Sequence, residues 1–265
     1  MAQLNIQGTT HQGISHALTV DIDAVLFDKD GTLLNFGELW IGWFDQLVDA
    51  INSYLTPEQQ LDAPALYSHV GIYPESRLWD PTGPLTIGSL DDIAIILALN
   101  LYHSHRLPWN EATQVTQDAL ADLDQHIDWA AHVTPVKGLL DFLQQASQAG
   151  LRLGVVTSDN QRSAQNHIQL LSVDKYFSVV LGHDQVPRGK PYPDMVLDAC
   201  RQLGVQPERT LIIGDSNGDM MMGKNAGLQA GIGICAAPHL NGAHLTHADS
   251  IIRHYGALTL PTAIP

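Results

Sequence analysis

Residues 24–32 read Ala24-Val25-Leu26-Phe27-Asp28-Lys29-Asp30-Gly31-Thr32: an apolar run that passes directly into two acidic residues and a Gly-Thr turn. A short apolar run bounded by turn residues reads as a buried strand. In an open α/β sheet, ligands bind just beyond the carboxyl ends of the strands, so Asp28 and Asp30 stand where such a sheet keeps its chemistry. Asp-x-Asp-Gly also occurs in calcium loops. Placing Gly31 sixth in such a loop puts Leu26 first and Gly37 last, where oxygen ligands are required.

Three further pieces follow in order. Thr157 and Ser158 end the apolar run 151–156; Lys190 sits in Gly189-Lys190-Pro191-Tyr192-Pro193; and Gly214-Asp215-Ser216-Asn217-Gly218-Asp219 follows Leu211-Ile212-Ile213. Singly, each is more often structural than functional. Jointly, each at a strand end or a helix start, they describe a site for phosphate and magnesium. From Thr134 onward the pattern predicts a helix closed by Gly150, a strand to Val156, a helix over 161–171 and a strand over 178–181. A helix over 191–203, a strand over 211–213, a short helix over 220–225 and a strand over 230–235 follow. This alternation predicts an α/β protein with a doubly wound, parallel sheet of Rossmann type.

Between the first piece and the second the pattern is helical. Trp40, Phe44, Leu47, Val48, Ile51 and Leu55 recur at three- and four-residue steps, predicting an amphipathic helix over 38–55. The Pro- and Gly-punctuated stretch 74–84 reads as loop. Ser89 with Asp92 reads as a capping-box-like start of a second helix, and Asn110 as the cap of a third. The expected organisation is a catalytic core from 1–36 and 134–265 with a smaller α-helical cap over 37–133. The first twenty residues, rich in Gln, His, Thr and Gly, have no helical period and read as a loose tail or an added edge strand, with Asp21 and Asp23 as edge polar residues.

Composition narrows the function classes. Hydrophobic residues make up 45% and charged residues 15%, as in a globular rather than a disordered chain. Of the net charge of −15, about −12 falls between Gly37 and His132, where fourteen acidic residues face only Arg77 and Arg106. Nucleic acid is therefore not an expected partner, since phosphate-backbone binding runs on Lys and Arg. The acidity reads first as a solvated surface and secondarily as a bias toward small monophosphates. No membrane-length apolar stretch or leader pattern is present, so a cytoplasmic monomer or homodimer is expected. Cys200 and Cys235 read as buried, reduced thiols. His239, His244 and His247 read as exposed loop residues.

The four pieces together resemble the haloacid dehalogenase (HAD) superfamily, whose motifs are an Asp-x-Asp-Gly-Thr loop, a strand-end Thr or Ser, a Lys, and a Gly-Asp-x-x-x-Asp loop. The Lys-Pro-x-Pro surroundings of Lys190 and the long insert after the first motif look most like the phosphoglycolate phosphatase branch. The resemblance covers about residues 22–36 and 134–236. It implies a phosphomonoester hydrolase with Asp28 as nucleophile through an aspartyl-phosphate, and Asp30 as acid and then base. Thr157, Ser158 and Lys190 would hold the phosphoryl group. The Asp28 side chain, the Asp30 carbonyl and the Asp215 side chain would hold Mg²⁺, with Asp219 behind them. It further implies a small phosphorylated metabolite as substrate, phosphoglycolate first, with Arg77 and Arg106 as specificity candidates on a cap that closes. A sugar phosphomutase and a non-catalytic phosphometabolite-binding module are the alternatives. Lys29 replaces the apolar residue usual in that branch, and is expected either to point at the cap or to lie along the surface.

Overall fold

The computed structural model describes residues 2–105 and 107–261. They divide into two compact units, one formed by the residues up to Asn35 and from Val133 onward, the other by Phe36–His132. The first contains a nine-stranded sheet. β1 (Ala2–Thr9) and β2 (Ser15–Ile22) form an antiparallel hairpin. β3 (Ala24–Phe27) lies between β8 (Thr210–Gly214) and β6 (Arg152–Val156). β7 (Val179–Leu181), β9 (Ala230–Ile234) and β10 (Ser250–Ile252) continue the parallel array on either side.

All four residues of β3 are buried, which is why the run shows no polar alternation: a central parallel strand is covered on both faces. Val25 and Phe27 join Leu153, Val155, Leu211 and Ile213 in one core cluster with Phe142 and Leu143 of α6 (Leu139–Gln148). The Phe27 ring packs against Phe142, Phe177 and Tyr255 at centroid distances of 6.3, 5.7 and 6.3 Å. The opposite face carries α8 (Asp194–Leu203) and α9 (Asn217–Ala226), the first closing on Leu26 near Gly154 and the second on Ile212 near Gly231. Helices on both faces make the sheet doubly wound.

The first twenty residues add to the sheet edge, and as two strands rather than one. Leu4, Ile6, Val20 and Ile22 turn inward and are buried. β1 pairs antiparallel with β10 and with β11 (Leu258–Thr259), making the sheet mixed at this side. The period-two alternation was present in the sequence but diluted by its polar partners.

The second unit contains α1 (Phe36–Ser53), α2 (Ala63–Val70), α3 (Pro84–Ile87), α4 (Leu90–His105) and α5 (Trp109–His126). α1 buries Trp40, Phe44, Leu47, Val48 and Ile51, as its spacing requires. Ser89 and Asp92 cap α4 reciprocally, Ser89 N donating to Asp92 Oδ2 at 2.8 Å and Asp92 N to Ser89 Oγ at 3.2 Å. Asn110 does not cap α5: the helix begins two residues earlier, with Pro108 at its N-cap and the Pro108 carbonyl accepting from Ala112 N at 2.9 Å. The stretch 74–84 is not all loop, since β5 (Leu78–Trp79) pairs with β4 (Ile72–Tyr73) and α3 starts at Pro84. Two-residue strands carry no readable period.

Candidate active site

β3, β8 and β6 are neighbours in register, Phe27 standing opposite Ile213 on one side and Val155 on the other. The loops after them therefore leave the sheet side by side, bringing Asp28, Asp215 and Thr157 to one edge. The Asp28 amide donates to the Ile213 carbonyl at 2.8 Å and fixes where the β3 loop departs. The loop is then wound tightly, the amides of Thr32, Leu33 and Leu34 all donating to the Lys29 carbonyl, while the buried Tyr255 hydroxyl donates to the Thr32 carbonyl at 3.1 Å. Gly31 lies in the left-handed region at φ +72°, and a Cβ there would stand 2.0 Å from Asp215 Oδ2. Only glycine lets the two acidic loops approach so closely.

Asp28, Asp215 and Asp219 are all buried, with one carboxylate oxygen of each within 4.8 Å of the others. Lys190 Nζ lies 2.6 Å from Asp28 Oδ1 and 2.6 Å from Asp219 Oδ1. Asp219 is held from behind: its Oδ2 accepts from Ser216 N at 3.1 Å and Ser216 Oγ at 2.6 Å, and its own amide donates to Ser216 Oγ, a capping box that starts α9. Burial, only partly offset by Lys190 and reinforced by Asp219 and Asp30, pushes the Asp28 carboxyl up to about 7. Burial and the Asp28 and Asp219 charges push Asp215 well above the usual carboxylate range. Lys190 is raised: burial opposes its charge, and Asp219 and Asp28 outweigh burial. Three buried carboxylates against one ammonium is a deficit of positive charge, and all the donors are hard oxygens. A small divalent cation such as Mg²⁺ fits both facts.

A haloacid dehalogenase-like hydrolase model matches residues 22–227. The chain belongs to that family. Among curated relatives, a pyrophosphatase PpaX from Halalkalibacterium halodurans is 26% identical over 216 residues, covering 80% of this chain and 84% of the relative. A predicted phosphoglycolate phosphatase from Haemophilus somnus 129pt superposes with a TM-score of 0.62 at 19% identity, over 89% of this chain and 96% of that one. CbbY from Rhodobacter sphaeroides, in complex with phosphate, superposes with a TM-score of 0.57 at 23% identity, over 88% and 95%. At these identities the two structures show the shared fold.

In this hydrolase Thr157 is buried at the end of β6, its amide donating to the Leu181 carbonyl and its hydroxyl accepting from Asp159 N at 3.2 Å; Ser158 beside it is half-buried. Asp30 turns its carboxylate to Lys29, 2.9 Å from each oxygen. Lys29 neither points at the cap nor lies along the surface. It is fully buried and also contacts Asp159 Oδ2 at 3.2 Å and His167 Nδ1 at 2.9 Å. Of the specificity candidates, Arg77 pairs with Asp45 at 2.6 Å and lies over the Tyr67 ring at 5.3 Å, and Arg106 lies outside the described residues. His244 is half-buried rather than exposed, its Nε2–H donating to the Asp215 carbonyl at 3.0 Å. Asp159 and His167 have no counterpart in the sequence reading, because a lone polar residue outside a motif carries no spacing signal.

Proposed function

We propose that this hydrolase is a Mg²⁺-dependent phosphomonoesterase acting through an aspartyl-phosphate. The observation that supports this most is the buried Asp28–Asp215–Asp219 cluster, joined to Lys190 at the carboxyl edge of the sheet. Asp28 is the nucleophile: one carboxylate oxygen bonds to phosphorus as the ester P–O bond breaks. Asp30 gives the leaving oxygen its proton, then takes one from the water that attacks phosphorus and releases Asp28. Lys190, with the Thr157 hydroxyl and Ser158, holds the phosphoryl oxygens as charge moves onto them. Asp28, the Asp30 carbonyl and Asp215 would hold the cation, which when bound neutralises the carboxylates and polarises the phosphoryl group. Asp219 orients Lys190.

Phosphoglycolate is the substrate to test first. Its carboxylate asks for a cationic contact, and Arg77 is already engaged by Asp45 and Tyr67. A second reading, a compound made of phosphate alone, rests on the class that the PpaX name states for the relative. The test is phosphate release by the purified protein from phosphoglycolate, pyrophosphate, sugar phosphates and a generic aryl phosphate. Release that needs Mg²⁺, stops on chelation and falls by several orders of magnitude in Asp28→Asn is expected. Near-normal turnover by Asp28→Asn would overturn the covalent mechanism, and activity surviving full chelation would overturn the metal assignment.

A further inference from the structure

A lysine between the two aspartates of the first motif is an expensive residue to bury, since an ammonium removed from water must recover its solvation from the protein. Lys29 does so completely. An ammonium has three N–H donors and no acceptor, and Nζ has three partners: the Asp30 carboxylate at 2.9 Å, Asp159 Oδ2 at 3.2 Å and His167 Nδ1 at 2.9 Å. Because the ammonium can only donate, His167 must offer Nδ1 as a lone pair. Burial, with Lys29 beside it, holds the ring neutral and pushes it down to about 3.

The partners come from different parts of the fold. Asp30 lies on the loop after β3. Asp159 lies on the loop after β6, directly beyond Thr157 and Ser158; its amide donates to Thr157 Oγ1 at 3.2 Å, and its Oδ1 accepts from Asn160 N at 2.7 Å. His167 lies on α7 (Gln161–Leu170). One buried cation thus ties the loop of the acid–base residue to the loop of the phosphate-holding residues. With no exposed surface, Lys29 does not touch substrate.

We propose that Lys29 is a positioning residue: braced by Asp159 and His167, it fixes the Asp30 carboxyl group relative to the Thr157–Ser158 loop, so that as the acid it stands within reach of the leaving oxygen and as the carboxylate within reach of the attacking water. This rests on the reading of Asp30 as acid and base. Removing Lys29 should therefore hurt the steps that need Asp30 and spare those that do not.

The test compares Lys29→Met, Lys29→Met with Asp159→Asn (which removes the carboxylate otherwise left unpaired), Asp159→Asn and Asp30→Asn, each checked for folding by circular dichroism. An alkyl phosphate, whose leaving group needs a proton, is set against an activated aryl phosphate, whose leaving group does not. In both Lys29 variants, kcat for the alkyl ester should fall by roughly 10- to 100-fold, the effect of a misplaced catalytic group, with KM unchanged. The pre-steady-state burst from the aryl ester should keep its rate while phosphorylated Asp28 accumulates. Asp159→Asn alone, which keeps an oxygen for Lys29 but weakens its brace, should give a smaller loss on the alkyl ester with the aryl burst unchanged, and Lys29→Met should cost little further in the Asp30→Asn background. Equal slowing of both esters, a full additional loss in that background, or failure of both Lys29 variants to fold would make Lys29 a purely structural counter-ion and overturn the proposal. No phosphorylated Asp28 trapped from the aryl ester in Asp30→Asn, or an Asp30→Asn variant with normal alkyl turnover, would instead mark failure of the underlying acid–base reading, and the proposal would fall with it.

Discussion

On the proposed reading, Asp28 places function and stability in opposition. With its carboxyl at about 7 instead of the usual 3.8, the metal-free fold holds a proton that the unfolded chain has shed between those values. Metal-free stability therefore falls as pH rises through that window, and a bound cation should reverse the loss by displacing the proton. Mg²⁺ is expected to raise the melting temperature more at pH 8 than at pH 6. Asp28→Asn is expected to raise the metal-free melting temperature at pH 8 while shrinking the Mg²⁺ shift; a shift independent of both pH and Asp28 would count against the cluster as the cation site. His167 carries the opposite sign of proton linkage, because its pKa is lowered. Facing Lys29 and Asp159 and pushed from 6.5 to about 3, it stays neutral while the unfolded chain charges. Its contribution is intact above pH 6.5 and is lost as pH falls toward 3. His167→Gln keeps an acceptor for Lys29 without the titration, so its urea midpoint should drop less than the wild type's between pH 7 and pH 5, and an equal drop would refute the linkage.

Among the elements, α9 shows how a helix start becomes part of a site. Ser216 and Asp219 satisfy the first amides of the helix, and the Asp219 oxygen not used in the cap pairs with Lys190 at 2.6 Å. Ser216→Ala should cost about 1 kcal/mol, the usual value of an N-cap, read as a shift in urea midpoint. It should also weaken turnover, since Asp219 loses two of its anchors; a stability loss with unchanged kcat would show that Asp219 is held without the cap. The helix starts at Asn217, three residues before the expected 220–225, because the Ser216–Asp219 cap outweighs the poor helix propensity of Asn217-Gly218-Asp219. The loop after β3 makes the complementary case. At Gly31 the left-handed backbone and the 2.0 Å approach to Asp215 leave no room for a methyl group, so Gly31→Ala should abolish the Mg²⁺-induced thermal shift.

At the scale of the whole molecule, the core cluster around β3 contains, among the described residues, none from Phe36–His132. The chain leaves and re-enters the core at one place, where Asn35 N donates to the Thr134 carbonyl at 2.9 Å and Asn35 Nδ2 to Thr134 Oγ1 at 3.0 Å. Ends so close suit an insertion. Replacing Phe36–His132 by a short Gly/Ser linker should therefore leave a folded α/β core that still shows a Mg²⁺-dependent thermal shift, and an unfolded product would refute core independence. The alternation after Thr134 and the apolar run of β3 were enough to place the sheet, because strand ends, glycine turns and helix periods are local properties of a chain, while Asp28, Asp30, Thr157, Ser158, Lys190, Asp215 and Asp219 were nominated by the resemblance of their motifs, taken in order, to those of the family. The N-terminal hairpin was half-legible, since its inward residues alternate but pair with strands far along the chain. Lys29 was not legible at all. Whether a lysine reaches water or lies buried depends on which acceptors surround it, and those were supplied by Asp159 and by His167, 138 residues away, once β6 had packed beside β3.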